Sequence, residues 1–245
     1  MRNIKLTLQY DGSGYHGWQI QKNALTIQEV VEKTILKLTG HRPHLSGCGR
    51  TDTGVHAINY IASFKTESNI PCERLPYALN TLLPPDIICT GACEMPEDFD
   101  AHLSATGKTY TYKIINSVYN NVFFNKRAWH YRYSLDIDKM KKAASYLLGT
   151  HDFIGFAASG FTVKTTVRTI YSIEITKEND LIEIKVCGNG FLYNMVRIIA
   201  GTLVFCGNGK INPDDIPDIL ISKERKRAGI TAPAHGLYLS EVYYD

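Results

Sequence analysis

Long apolar runs are missing from this chain of 245 residues: Arg, Asn or Gly interrupts every apolar stretch well short of a membrane-crossing helix, which needs about 20 apolar residues. The opening residues MRNIKLTLQYDGSG hold no apolar core of signal-peptide length either. Both absences point to a cytoplasmic protein without membrane association. Cysteine is sparse, and none of Cys48, Cys72, Cys89, Cys93, Cys187 and Cys206 forms a CxxC pair. The one close spacing, Cys89 to Cys93, falls in a strand-like stretch with no neighbouring histidine. These are expected to be reduced thiols, and no metal site is expected. The missing HxxxH-type motif argues against a metal-dependent hydrolase. Charge of one sign is scarce too: 27 basic and 24 acidic residues leave +3, which permits a polyanion partner without demanding one. No low-complexity tract or linker is present, so any two halves of the chain are expected to share a continuous sheet or a broad interface.

What is present is a globular composition. With 44% apolar residues the chain can pack a core without disulfides or metal. Residues 2–10, RNIKLTLQY, alternate apolar and polar and meet Asp11-Gly12, a strand running into a turn. From Thr26 to Leu38, Ile27, Val30, Val31, Ile35 and Leu38 fall near helical spacing, with Thr26 and Glu29 in capping-box positions and Gly40 past the end. A strand at 58–65, a helix at 72–82 stopping before Pro84-Pro85, and a strand at 87–94 complete a first set. A second set has strands at 108–116 and near 128–133, a helix at 136–147 ended by Gly149, and strands at 169–176 and 181–187. A helix at 193–205, a proline-capped helix at 213–221 and a strand at 237–244 close it. Strand pairs between single helices fit two α+β halves, 1–105 and 106–245, better than one doubly wound sheet. A cleft between such halves is a natural place for a site.

The densest unusual segment is GCGRTDTGVHA, residues 47–57. Its glycines free the backbone to turn tightly, and Arg50 and Asp52, two apart, are placed to project from one loop toward one ligand. By residue type alone this segment reads equally as a tight turn carrying a surface ion pair. Four further blocks accompany GRTDTGVHA (49–57): YDGSGYHGWQIQ (10–21), LNTLLPPDI (79–87), GNGFLYNMVRIIAG (188–201) and APAHGLYLSEVYY (232–244). With these blocks in this order over nearly its whole length, the chain resembles the tRNA pseudouridine synthase A family.

The resemblance implies an α+β fold of two ferredoxin-like halves that share a mixed, mainly antiparallel central sheet, with helices packed on it and the active site in the cleft between them. It implies isomerisation of uridine at tRNA positions 38 to 40, in the anticodon stem-loop, by a homodimer whose two subunits one tRNA spans. No cofactor is implied, because breaking the bond from ribose to N1, rotating the uracil and rejoining it through C5 is redox-neutral. Asp52 matches the catalytic aspartate, acting as a nucleophile or as a base on the ribose; the choice stays open. A glycosidase-like carboxylate pair finds no support, since no second acid lies in the block around Asp52.

Tyr110 matches the tyrosine that stacks on the target base and serves C5 proton transfer; without the resemblance it reads as strand packing beside Tyr112. Arg197, among Met195, Val196, Ile198 and Ile199, matches the basic residue that pairs with the aspartate, where an unpaired arginine would snorkel to water. Arg50 matches the arginine that enters the space left by the flipped base. Lys108, Arg168, Leu192 and His102 complete the implied substrate contacts, and Lys164 and the run Lys223–Arg227 are candidate phosphate contacts or a solvated face. His16 and Trp18 are either loop structure or RNA-facing. Two positions depart from the pattern: His102 and Lys108 stand where arginine is usual, and neither makes arginine's forked contact. The departures leave Asp52 untouched, so activity is expected to survive with altered substrate preference or efficiency. An RNA-binding protein without turnover on the same fold is the competing reading; Arg50, Asp52, Tyr110 and Arg197 together count against it, since a pure binder has no need of a carboxylate facing an anionic ligand.

Overall fold

A computed structural model describes residues 1–160 and 163–245. In chain order it holds β1 (Arg2–Tyr10), α1 (Ile27–Thr39), β2 (Ser46–Gly47), β3 (His56–Thr66), α2 (Leu75–Asn80), β4 (Ile87–Met95) and β5 (Ala105–Ile115). Then come β6 (Trp129–His130), α3 (Ile137–Ser145), β7 (Gly149–Asp152), β8 (Val167–Glu178), β9 (Leu181–Gly188), α4 (Met195–Gly207), α5 (Ile216–Ser222) and β10 (Leu237–Tyr244). The chain is α+β and divides into two compact units, Met1–Thr106 with Tyr238–Asp245, and Gly107–Leu237. The last strand, read from sequence as part of the second half, groups with the first unit apart from its opening residue.

In the first unit the strand order is β4-β1-β3-β10, with β2 also on β3. β1 runs antiparallel to both neighbours, and β10 runs parallel to β3 through Tyr238 beside His56 and Leu239 beside Ala57. Alternation along β1 buries Ile4, Leu6, Leu8 and Tyr10, the period-2 pattern of a strand with a core face. α1 buries Ile27, Val31 and Ile35. Its expected capping box does not form: Thr26 makes no side-chain cap, its buried Oγ1 finds no partner among the described residues, and Glu29 pairs instead with Lys33 at 2.6 Å. The cap comes from tertiary structure. Ile27 and Gln28 N–H donate to the carbonyls of Gly17 and Trp18, both at 3.1 Å, so the early loop satisfies two of the free donors of the first turn. α2 is shorter than the 72–82 expectation, because a turn from Pro71, with Arg74 N–H on its carbonyl, precedes it.

In the second unit β5-β9-β8-β7 is an antiparallel series, with β6 parallel to β5. α4 is buried along most of its length, and α3 packs on both α4 and β8. The single helix expected at 213–221 is a 3-10 turn, Pro213–Asp215, followed by α5, whose own first turn carries Pro217. Among the described residues no helix is long and apolar enough to cross a membrane.

Candidate active site

Asp52 opens a tight turn in the first unit. Val55 N–H donates to the Asp52 carbonyl at 3.1 Å, and Gly54, at φ +78°, reverses the chain before β3. Asp52 is half-buried while Arg50 is exposed, so one loop presents a carboxylate and a guanidinium at different depths.

Residues 11–18 lie along the backbone of this turn. Trp18 N–H donates to the Thr51 carbonyl at 3.1 Å, and Gly54 N–H donates to the Tyr15 carbonyl at 3.3 Å. A Cβ on Gly12 would stand 2.0 Å from the Val55 carbonyl oxygen, and one on Gly17 would stand 2.3 Å from that of Thr51. No side chain fits at such distances, which accounts for Gly12 and Gly17 of DGSGYHG. Thr51 is buried with its hydroxyl 2.8 Å from that of Tyr10. Trp18, 3% exposed, stacks on Tyr60 at 4.0 Å, and the Tyr60 hydroxyl donates to the Gly49 carbonyl at 2.6 Å. The backbone on both sides of Asp52 is therefore held from outside its own loop. Trp18 belongs to that frame and does not face RNA, whereas His16 is exposed.

His102 is exposed beside the same loop, its ring Nδ1 3.3 Å from the Cys48 carbonyl. Its own N–H and that of Leu103 donate to Asp100 at 2.8 and 2.9 Å. Burial works to raise the Asp100 pKa, but these donors, the Ser46 hydroxyl and the nearby imidazole outweigh it and hold the carboxyl below its ordinary value.

In the second unit Tyr110 lies on β5 opposite Val186, 9% exposed and edge-on to Phe191 at 5.3 Å and 89°. Tyr112, two residues on, is wholly buried and donates to the Pro233 carbonyl at 2.8 Å. Burial pushes the Tyr112 phenol well up, against the opposing pull of Arg197, and Tyr112 reads as structural. Lys108 sits opposite Gly188, at the end of β9 that leads into the Gly188–Gly190 turn. Arg168 lies against that turn, 3.7 Å from where a Cβ on Gly190 would be, and donates to the Thr165 and Val167 carbonyls at 2.9 and 2.7 Å. Burial lowers its pKa. Leu192 follows, 4% exposed, with its carbonyl accepting from Met195 N–H at 3.0 Å where α4 starts. Lys108, Tyr110, Arg168 and Leu192 are thus gathered by the strand ends around one turn. Arg197, half-buried on α4, donates to the Ala232 carbonyl and to the Asn194 side chain, both at 2.7 Å.

A sequence model of the family described as tRNA pseudouridine synthase matches residues 7–103 and 143–245. Proteins named tRNA pseudouridine synthase A from Thermoanaerobacter sp. (strain X514) and Ruminiclostridium cellulolyticum are 52% and 51% identical, with 100% of each chain covered. A Clostridium tetani protein named tRNA pseudouridine synthase A 2 is 49% identical over 100% of this chain and 99% of its own. The chain belongs to the tRNA pseudouridine synthase family. As a member of this family it is an isomerase that converts uridine to pseudouridine in tRNA. The family match spans Arg50, Asp52, His102, Arg168, Leu192 and Arg197; Lys108 and Tyr110 fall in its gap and are covered by the full-length relatives.

In the basic run Lys223–Arg227, a candidate phosphate contact by sequence, Lys223, Lys226 and Arg227 are exposed and Arg225 is tied into the fold. Lys223 pairs with Asp152 at 2.8 Å, and Lys226 pairs with Glu224 at 3.2 Å. Arg225 donates to the Gly229 carbonyl and the Thr231 hydroxyl at 2.7 and 3.0 Å. Arg225 thereby holds the strap that runs on to Ala232, whose N–H and carbonyl both bond Arg197. Lys164 is exposed.

Proposed function

We propose that this synthase acts at positions 38, 39 and 40 of the tRNA anticodon stem-loop, in the cytoplasm, as a homodimer, with Asp52 as the reacting carboxylate. The observation that carries the reading is Asp52 itself, a half-buried acid on a turn whose flanking carbonyls are fixed by Trp18 and Val55. A preorganised carboxylate suits either attack on C1′ or removal of a ribose proton. Uracil leaves through N1 and returns through C5, so atoms and electrons balance without a cofactor.

We assign Tyr110 to stacking on the uracil and to proton transfer at C5, Arg197 to holding Asp52 ionised, and Arg50 to the gap left by the flipped base. His102, Lys108, Arg168 and Leu192 are assigned to the surrounding RNA contacts. Mapping pseudouridine in tRNA from cells with and without the protein tests the specificity: the modification should vanish at 38 to 40 alone, and loss at any other set of positions sinks this assignment.

Support for the homodimer comes from Val118, Tyr119, Val122 and Phe123, which are 72 to 84% exposed within one short segment. The two aromatic rings alone present on the order of 300–500 Å², a large part of the ~800 Å² that each partner contributes to a stable interface. Phe123→Asp should convert the dimer to monomer in sedimentation velocity at micromolar protein. A dimer that survives both Phe123→Asp and Val122→Asp removes this segment from the interface.

A further inference from the structure

We propose that Asp86 and Tyr15 are positioning residues for the isomerisation, fixing the turn that carries Asp52. The proposal rests on the reading of Asp52 as the reacting group. It explains why LPPDI and YDGSGYHG, which supply none of the assigned chemistry, accompany GRTDTG. The Tyr15 hydroxyl, in a side chain 5% exposed, donates to the Asp86 carboxylate at 2.7 Å. The Tyr15 carbonyl accepts from Gly54 N–H at 3.3 Å, inside the Asp52–Val55 turn. Asp86 reaches the same loop a second time, because its carbonyl accepts from Asp11 N–H at 2.9 Å.

Asp86 is itself anchored. Ile87 N–H closes a turn onto the Pro84 carbonyl at 3.0 Å, and Ile87 pairs with Tyr10 where β4 meets β1. From Asp86 the path is short and made of single contacts: carboxylate to phenol, then the Tyr15 carbonyl to Gly54. Beside it, Gly12 and Gly17 leave no slack against Val55 and Thr51. A shift of Tyr15 is therefore transmitted to the backbone that aims Asp52. The phenol stays a donor, since burial first, then its bond to Asp86 and the charges of Asp86 and Asp11, push its pKa well above the ordinary value.

A pair that merely stabilised the fold would change the amount of folded enzyme and leave the rate of each folded molecule unchanged. A positioning pair changes the rate with tRNA bound. The test compares full-length wild type, Tyr15→Phe, Asp86→Ala and Asp86→Asn by thermal unfolding, tRNA Kd, and single-turnover pseudouridine formation at saturating enzyme on a tRNA transcript. Tyr15→Phe and Asp86→Ala should each slow the bound-state rate on the order of tenfold or more with Kd within about twofold, as expected when misplacement rather than binding is at fault. Asp86→Asn, whose amide oxygen still accepts from the phenol, should recover most of the rate. The double variant Tyr15→Phe/Asp86→Ala should be little slower than either single variant, because both break one interaction.

Tyr15→Phe within about twofold of wild type, given the factors of ten that positioning carries, overturns the proposal. So does Asp86→Asn as slow as Asp86→Ala. If Asp86→Ala does not fold, Tyr15→Phe decides, since it removes one oxygen atom and keeps the ring. Asp52→Asn is run beside them: if it is inactive while Tyr15→Phe is at full rate, positioning alone fails; if it turns over, the reading of Asp52 fails and the proposal falls with it.

Discussion

Asp52→Asn should leave a folded protein that binds tRNA and forms no pseudouridine above about one thousandth of the wild-type rate, a loss of about 4 kcal/mol in transition-state stabilisation. The fold should survive because the turn is held through main-chain groups. Val55 N–H on the Asp52 carbonyl, Trp18 N–H on the Thr51 carbonyl and Gly54 N–H on the Tyr15 carbonyl make no use of the carboxylate. Asparagine also keeps the volume and tolerates turns. Neither a nucleophilic adduct at C1′ nor removal of a ribose proton is open to an uncharged amide. Binding should stay level or tighten slightly, since one negative charge disappears beside a polyanion. Binding by filter retention and single-turnover product formation separate the two effects. Product from the Asn protein at a rate within about tenfold of wild type, only ~1.4 kcal/mol of barrier, removes Asp52 from the chemistry.

Local periodicity made the long elements legible and left the frame around Asp52 illegible. β1 shows strict alternation and buries the expected side chains, and α1 ends as Gly40 indicates, with that residue at φ +78°. The capping box did not form, and the first two helix N–H groups find the carbonyls of Gly17 and Trp18 instead, partners outside the helix. Sequence favoured a structural Trp18 without naming its partner, because Tyr60 is far off in sequence; the 4.0 Å stack supplies it. Within the run Lys223–Arg227, sequence did not show that Arg225 is tied down, to the Gly229 carbonyl and the Thr231 hydroxyl, while Lys223, Lys226 and Arg227 stay exposed. β7, four residues long, is too short for periodicity to register.

The site shows the same division. Residue type alone left Asp52 and Arg50 as readily a surface ion pair on a tight turn; the five ordered blocks of the family resemblance singled them out. What sequence could not supply is the second layer: the hydroxyl pair of Thr51 and Tyr10, the approach of Gly12 and Gly17, and the Tyr15–Asp86 bond. Each joins residues tens of positions apart, and where loop meets loop, glycine marks the place without saying what comes close. The sequence motifs outside the reacting loop record this supporting layer, which is why DGSGYHG and LPPDI travel with GRTDTG in one chain.

Replacing Tyr110 should separate its ring from its hydroxyl, with Tyr110→Phe losing on the order of a hundredfold or more in turnover, the range of one general acid or base, while tRNA affinity falls little. Tyr110 is 9% exposed, and its neighbour Phe191 meets it edge-on at 5.3 Å and 89°. A phenyl ring in the same place keeps this contact, whose aromatic part is about 0.5–1.5 kcal/mol beyond area burial, and keeps a stacking face for the uracil. Only the hydroxyl can accept or relay the proton displaced from C5. Tyr110→Leu removes ring and hydroxyl together. Base–aromatic stacking is worth about 1–3 kcal/mol per base, so this variant should lose turnover at least as severely and bind tRNA about five- to a hundredfold more weakly. Its Tm should also fall, because leucine leaves space beside Phe191 in a strand otherwise packed through Tyr112 and Ile114. The three proteins are compared by single-turnover rate, tRNA Kd and thermal unfolding. Equal turnover in Tyr110→Phe and wild type would show that Tyr110 is a stacking platform only, and that the proton from C5 goes to another group. Unchanged affinity in a folded Tyr110→Leu protein would remove the stacking role as well.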